Sequence, residues 1–223
     1  MTKSIAHRGD WTLHPENTME SFIDAGKNGA DMIELDVKVT KDGHAVVLHD
    51  HTLNLIWGDP RKIIDMTLDE IQNIKLGSYY IPLFEEVINN IDVPFMVDFD
   101  EPKAVESMVE VLKKQKSLER FLVVTGDIES LAKVKELIPQ VEIGLTWISP
   151  LLPDDNLIRK LKIKYFNPNH LLLNNNVIEH MRQRGLNISC WTVDDASHMK
   201  SMIDLNVDYI VTNKLSSLLS ILK

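Results

Sequence analysis

Apolar residues along the chain fall into short β-rich runs, and each run is followed by a stretch with helical spacing of apolar positions. The runs are Ser4–His7, Met32–Val39, Pro94–Asp98, Phe121–Thr125, Glu142–Trp147, Tyr165–Asn167, Asn187–Val193 and Tyr209–Thr212. The stretches that read as helices are Thr18–Asn28, Lys103–Lys116, Ile128–Leu137, Asp155–Leu161, Asn176–Arg184, Ala196–Leu205 and Ser216–Leu222. One connection departs from the alternation. After the second run, Gly43–His49 reads as an extra strand, and Thr67–Ile74 and Phe84–Asn90 read as two helices.

Eight β/α units predict an α/β fold, either a closed (β/α)8 TIM barrel with a short insertion after the second strand or a doubly wound open sheet. The two differ in the last strand, because only a barrel pairs Tyr209–Thr212 with Ser4–His7 and gathers the strand ends at one mouth. No Pro-, Gly- or Ser-rich linker divides the chain. Residues 1–223 are therefore expected to form a single domain, with the insertion at about 50–82.

Composition narrows the function classes. Hydrophobic residues make up 44% of 223, enough for a sizeable core, and the formal net charge of −9 argues against a general nucleic-acid binder. A single cysteine, Cys190, cannot form an internal disulfide, and no run reaches the roughly 20 apolar residues of a membrane helix. With no apolar stretch in the first residues to serve as a secretion signal, the expected location is cytoplasmic. Nothing in the sequence fixes an oligomeric state.

Residues suited to chemistry cluster near predicted strand ends: His7-Arg8-Gly9, Glu34-Leu35-Asp36 and His49-Asp50. Alternation along a strand points Glu34 and Asp36 to the same face, where two carboxylates repel unless a cation lies between them. Oxygen ligands suit Mg2+ or Ca2+, and Asp98 at the end of the third strand is the candidate third ligand. Its competing reading is a cap on the following helix. An arginine fork such as Arg8 matches phosphoryl oxygens, and histidines such as His7 and His49 exchange protons near neutral pH. Asn17 and Glu20 read as a helix entry, and Glu16 as a brace for the first loop.

Taken together, these residues resemble the glycerophosphodiester phosphodiesterase family. The resemblance is carried by Ala6-His7-Arg8-Gly9, Pro15-Glu16-Asn17-Thr18, Glu34-Leu35-Asp36-Val37, Thr40-Lys41-Asp42-Gly43 and Val46-Val47-Leu48-His49-Asp50, in order and at the family's spacing. It continues through Ile81–Val87, Cys190–Asp194 and Val207–Asn213. It implies a (β/α)8 barrel that hydrolyses a small-molecule glycerophosphodiester. It also implies a divalent cation, Mg2+ or Ca2+, on Glu34, Asp36 and Asp98, with His7 and His49 as the acid/base pair, Arg8 on the phosphate and Trp191 as an apolar wall.

One departure bears on mechanism. Where the family usually has Glu-x-Lys at the end of the third strand, this chain has Asp98-Phe99-Asp100. Lys103, Lys214 or a second cation would have to supply the missing positive charge, and Leu55 stands where an arginine is common. The alternatives are a phospholipase-D-like phosphodiesterase with an apolar rim, kept open by Trp57, Tyr79, Tyr80 and Ile81 in the insertion, and a degenerate member that binds a phosphodiester without turnover.

Overall fold

A computed structural model describes all 223 residues. The chain opens with β1 (Lys3–Ala6), α1 (Met19–Lys27) and β2 (Met32–Val39), the last buried along its whole length. β3 (Ala45–Val47) then turns back antiparallel on β2, with Val37 opposite Val47. A satellite layer follows, made of α2 (Asn54–Trp57), α3 (Leu68–Gln72) and a small hairpin of β4 (Lys75–Leu76) and β5 (Tyr79–Tyr80). It closes on α4 (Phe84–Asn90), where Leu83 bridges back to Val46.

From there strand and helix alternate: β6 (Phe95–Asp98), α5 (Ala104–Lys113), β7 (Phe121–Thr125), α6 (Ile128–Leu137), β8 (Glu142–Trp147) and α7 (Asp155–Leu161). The chain ends with β9 (Tyr165–Pro168), α8 (Asn175–Arg182), β10 (Asn187–Cys190), α9 (Ala196–Asp204), β11 (Tyr209–Thr212) and α10 (Leu215–Leu222).

Parallel pairing runs β1, β2, β6, β7, β8, β9, β10, β11 and returns to β1. Tyr209–Thr212 pairs in register with Lys3–Ala6. That closure selects the (β/α)8 barrel over the open sheet. All eight strands point the same way, so their C-terminal ends share one rim, where barrel sites are built.

The core divides as the sheet geometry requires. Side chains facing the helices, among them Ile33, Leu35, Val37, Phe95, Phe121 and Phe166, form the large shell between barrel and helices. A small inner cluster of Ile5, Met32, Met96, Leu122, Val124 and Val211 fills the barrel itself. The satellite layer has its own core of Val46, Leu48, Leu53, Trp57, Ile63, Met66, Ile71 and Ile81. Burial of such side chains contributes about 1.5–3 kcal/mol each before the opposing chain entropy.

One local expectation changes. Helix α1 is capped by Thr18, whose hydroxyl accepts from Ser21 N–H, while Ser21 Oγ accepts from Thr18 N–H. Asn17 lies one residue before the cap in the left-handed region (φ 57°), and its side chain is used elsewhere. The β4–β5 hairpin was not anticipated, because two-residue strands are too short to show a period. No helix is long and apolar enough to cross a membrane.

Candidate active site

The end of β1 must turn sharply, and the chain does so with Arg8 (φ 58°) and Gly9 (φ 83°) both left-handed. Gly9 is required there twice over: a Cβ would fall 2.5 Å from Ser21 Oγ and 2.7 Å from the Ser21 backbone. The turn aims Arg8 N–H at Glu34 Oε2 (2.8 Å) on the neighbouring strand. Arg8 Nη1 is held by Glu16 Oε1 at 2.8 Å, and Nε lies 3.4 Å from Asp36 Oδ2. Glu16 therefore braces the first loop as expected, and does so through Arg8 itself.

β2 directs Glu34 and Asp36 inward, and its register on β6 sets Asp36 directly beside Asp98. Burial first, then the charges of Asp36 and Asp98, pushes the Glu34 carboxyl well above the ordinary carboxylate range. Asp98 is raised as well, by burial and then by Asp36. Asn17 Nδ2 donates to Asp36 Oδ2 at 2.8 Å. No hydrogen bond occupies Glu34 Oε1 or Asp36 Oδ1.

His7 follows β1 and is mostly buried. Its Nδ1 lies 2.6 Å from Asn213 Oδ1, and Asn213 Nδ2 donates in turn to Asp194 Oδ2 at 2.7 Å. Asp194 Oδ1 also accepts from Asn213 N–H at 2.8 Å, which fixes the amide's orientation. An amide oxygen only accepts, so His7 carries its proton on Nδ1 and leaves Nε2 with the lone pair. Burial, then the Arg8 charge, lowers the His7 pKa and favours this neutral form. His49 comes from the segment after β3, with Nδ1 2.8 Å from Asp50 Oδ1.

A cavity of about 240 Å³ at the strand ends collects the seven candidate catalytic, substrate-binding and metal residues: His7, Arg8, Glu34, Asp36, His49, Asp98 and Trp191. Its charged lining holds three carboxylates against one guanidinium. Thr146, Asn167 and Thr192 line it as well and were not anticipated. They line the cavity from the β8, β9 and β10 side, where Ser189 Oγ donates to Asn167 Oδ1 (2.8 Å) and Asn167 Nδ2 to Thr146 Oγ1 (3.2 Å). Trp191 is pinned by Nε1–H donating to Asn167 O at 2.9 Å. Asn213 and Asp194 were present in recognised motifs but had no assigned role, because only the barrel closure brings β11 beside β1.

The third-strand departure has a local answer. Lys103 and Lys214 are both exposed and outside the cavity lining. The neighbour of Asp100 is instead Lys38, two residues beyond Asp36 on β2, only 2% exposed and ion-paired with the Asp100 carboxylate. His51 joins from the satellite layer, with Nε2 3.4 Å from Asp100 Oδ2 and Nδ1 2.7 Å from Glu101 Oε1.

Oxygen donors with raised carboxyls and two uncommitted oxygens suit a hard divalent cation. As they stand, no three His, Cys, Asp or Glu side chains converge tightly enough to close a shell around one. The acidic corner therefore has the composition of a cation site without an already formed ligand shell.

Comparison with known proteins gives the same direction. Residues 7–217 match the glycerophosphoryl diester phosphodiesterase family. A glycerophosphodiester phosphodiesterase of Caldanaerobacter subterraneus is 32% identical, over 100% of this chain and 98% of its own. A second, from Bacillus altitudinis, is 30% identical over 96% of this chain and 95% of its own. Among solved structures, a glycerophosphodiester phosphodiesterase from Parabacteroides distasonis superposes with a TM-score of 0.85 at 26% identity, covering 99% of this chain and 96% of its own. An Oleispira antarctica phosphodiesterase in complex with its product sn-glycerol-3-phosphate shares the fold at a TM-score of 0.90 and 21% identity, over 99% of this chain and 97% of its own. With the matched family spanning nearly the whole barrel and all of the cavity's acids and histidines, this chain belongs to the glycerophosphoryl diester phosphodiesterase family of enzymes.

Proposed function

We propose that the protein hydrolyses glycerophosphodiesters to glycerol 3-phosphate and an alcohol, with a divalent cation, Mg2+ or Ca2+, held by Glu34, Asp36 and Asp98. The observation that carries the proposal is the single cavity shared by those three carboxylates, His7, His49 and Arg8. When bound, the cation offsets charge on the phosphoryl oxygens. Arg8, fixed by Glu16, adds a guanidinium to the same oxygens. Trp191 forms the wall against which the glycerol or head group rests.

In this account His7 Nε2 takes the proton of the attacking hydroxyl, because the Asn213 hydrogen bond leaves that nitrogen free. His49, oriented through Nδ1 by Asp50, gives a proton to the departing alcohol oxygen. The attacking group is water, or the substrate's own vicinal hydroxyl followed by water. Either route consumes one water and leaves the phosphate on glycerol. The proposal also treats residues 1–223 as one folding unit acting in the cytoplasm, with the satellite layer of about residues 50–82 as its insertion.

The test is release of glycerol 3-phosphate from glycerophosphocholine or glycerophosphoethanolamine by chelator-treated protein, before and after adding Mg2+ or Ca2+. Cation-activated release supports the proposal. Tight phosphodiester binding without release identifies the degenerate, binding-only alternative.

For a phospholipase-D-like substrate, Trp57 and Ile81 are buried in the satellite core, and the exposed apolar residues stand elsewhere. Ile148, Leu151 and Leu171, each at least 72% exposed, crown the β8 and β9 ends. Ile148 and Leu151 follow Trp147, whose Nε1 donates to Leu151 O at 2.8 Å, and Leu171 lies two residues beyond Asn169, which bridges to Trp191. Such a rim suits an acyl chain and a phospholipase-D-like substrate. A higher kcat/KM for lysophosphatidylcholine than for glycerophosphocholine, lost in Leu151→Asp, would favour it.

A further inference from the structure

A pair of histidines stands on the same rim, outside the cavity lining and unused by the chemistry above. His170 lies in the turn after β9, and His198 in the first turn of α9. His170 Nε2 and His198 Nδ1 are 3.4 Å apart, with the rings tilted by 49° and their centroids 5.1 Å apart.

The hydrogen bonding of His170 defines its tautomer. Its Nδ1 lies 3.2 Å from the Trp191 carbonyl oxygen, which also accepts the His170 backbone N–H at 3.0 Å. A carbonyl oxygen cannot donate, so the ring proton is on Nδ1 and Nε2 presents its lone pair toward His198. This is the arrangement found around metal-binding histidines, where the second nitrogen is tied to a carbonyl or carboxylate that sets the ring. His198 is held from the backbone side by its N–H on Asp195 Oδ1 at 3.2 Å.

The distance fits a particular ion class. Two nitrogens bound to Zn2+ at about 2.0–2.1 Å in tetrahedral geometry stand about 3.3–3.4 Å apart. The two rings already have that separation. A hydrogen bond between them at 3.4 Å is at the long limit of such contacts and is readily given up. Imidazole nitrogen suits Zn2+, Ni2+ and Cu2+, whereas Mg2+ and Ca2+ take oxygen. The rim pair and the acidic cavity therefore select different ions.

We propose that His170 Nε2 and His198 Nδ1 form a two-imidazole site for a borderline divalent transition metal of the Zn2+ class, completed by water and separate from the oxygen-lined cavity. An ion there ties the β9–α8 connection to α9 across the Trp191 carbonyl, and so clamps the wall of the cavity.

The test is calorimetric titration of Zn2+ into the full chain kept saturated with Mg2+, comparing wild type with His170→Ala, His198→Ala and the exposed control His44→Ala. One Zn2+ equivalent is expected in wild type, its Kd raised tenfold or more by either rim variant and unchanged by His44→Ala. Hydrolysis by His198→Ala in Mg2+ alone should match wild type, since that side chain is outside the catalytic machinery. His170→Asn, whose amide nitrogen takes the place of Nδ1 and can still donate to the Trp191 carbonyl, separates loss of a ligand from loss of the loop and should bind as weakly as His170→Ala. An unchanged Kd in both rim alanine variants, or an equal loss in His44→Ala, overturns the proposal.

Discussion

Asn213 accepts a 2.6 Å hydrogen bond from His7 Nδ1, linking the last barrel strand to the end of the first. The contact exists because β11 closes on β1, and Asp194 supports it from the neighbouring strand end through two hydrogen bonds to Asn213. It fixes which His7 nitrogen faces the cavity. Asn213→Leu should lower kcat about 10–100-fold while changing KM little, a part of the effect of a positioned base. Steady-state kinetics with glycerophosphocholine checks this. A large rise in KM at unchanged kcat would instead assign Asn213 to substrate binding.

Glu34 and Asp98 make a prediction for the cation-free protein. Both carboxyls are raised by burial and by neighbouring carboxylates, so the folded state holds their protons at pH values where the unfolded chain has released them. Their contribution is fully present below the unfolded values, near 4.5 for Glu34 and 3.8 for Asp98, and is lost as pH rises through the folded ones. In chelator, the melting temperature should fall as pH is raised from that region toward neutrality. Added Mg2+ or Ca2+ should restore it most at the higher pH, because the cation binds the ionised carboxylates of the folded state. A melting temperature insensitive to both pH and cation would contradict the assignment of these side chains.

The Lys38–Asp100 pair is unequal. The Lys38 side chain is 3% exposed and that of Asp100 is 55% exposed, so the two deletions should differ. Asp100→Ala strands a buried ammonium and should cost about 1–3 kcal/mol. Lys38→Met leaves a carboxylate that can face water and should cost less than about 1 kcal/mol. Asp100→Lys would set a second ammonium against the first, so restoring the family's lysine on its own should destabilise this chain. Urea unfolding of the three variants gives the order directly.

Gly9→Ala tests the turn that carries His7 and Arg8. With φ at 83° and Ser21 Oγ 2.5 Å from the added carbon, the substitution meets both a strained backbone and a blocked space. It should destabilise by more than about 1 kcal/mol and lower kcat by moving both neighbours. Denaturation and kinetics on one preparation would show the two losses together.

The sequence made the barrel legible through its eight periodic units, and the acidic face of β2 through the parity of Glu34 and Asp36. Lys38 shares that parity but is invisible as a partner for Asp100 until β2 and β6 are in register. Asn17 illustrates a different limit. A residue that can cap a helix can also enter the left-handed region, and the neighbouring Thr18 takes the cap while Asn17 turns to Asp36. Asn213 and Asp194 were hidden because their importance depends on closure between residues more than two hundred positions from His7 for one and near the end of β10 for the other. Side chains from separate strand ends meet only through topology, which no local period encodes.

The proposed chemistry has two histidines acting on a phosphodiester beside the carboxylates of β2 and β6. Its most direct test is kcat for glycerophosphocholine hydrolysis at saturating Mg2+ or Ca2+, measured for wild type, His7→Ala and His49→Ala. A loss of about 10²–10⁴-fold is expected in each variant, with both still folded. A kcat within about twofold of wild type in either variant would contradict it.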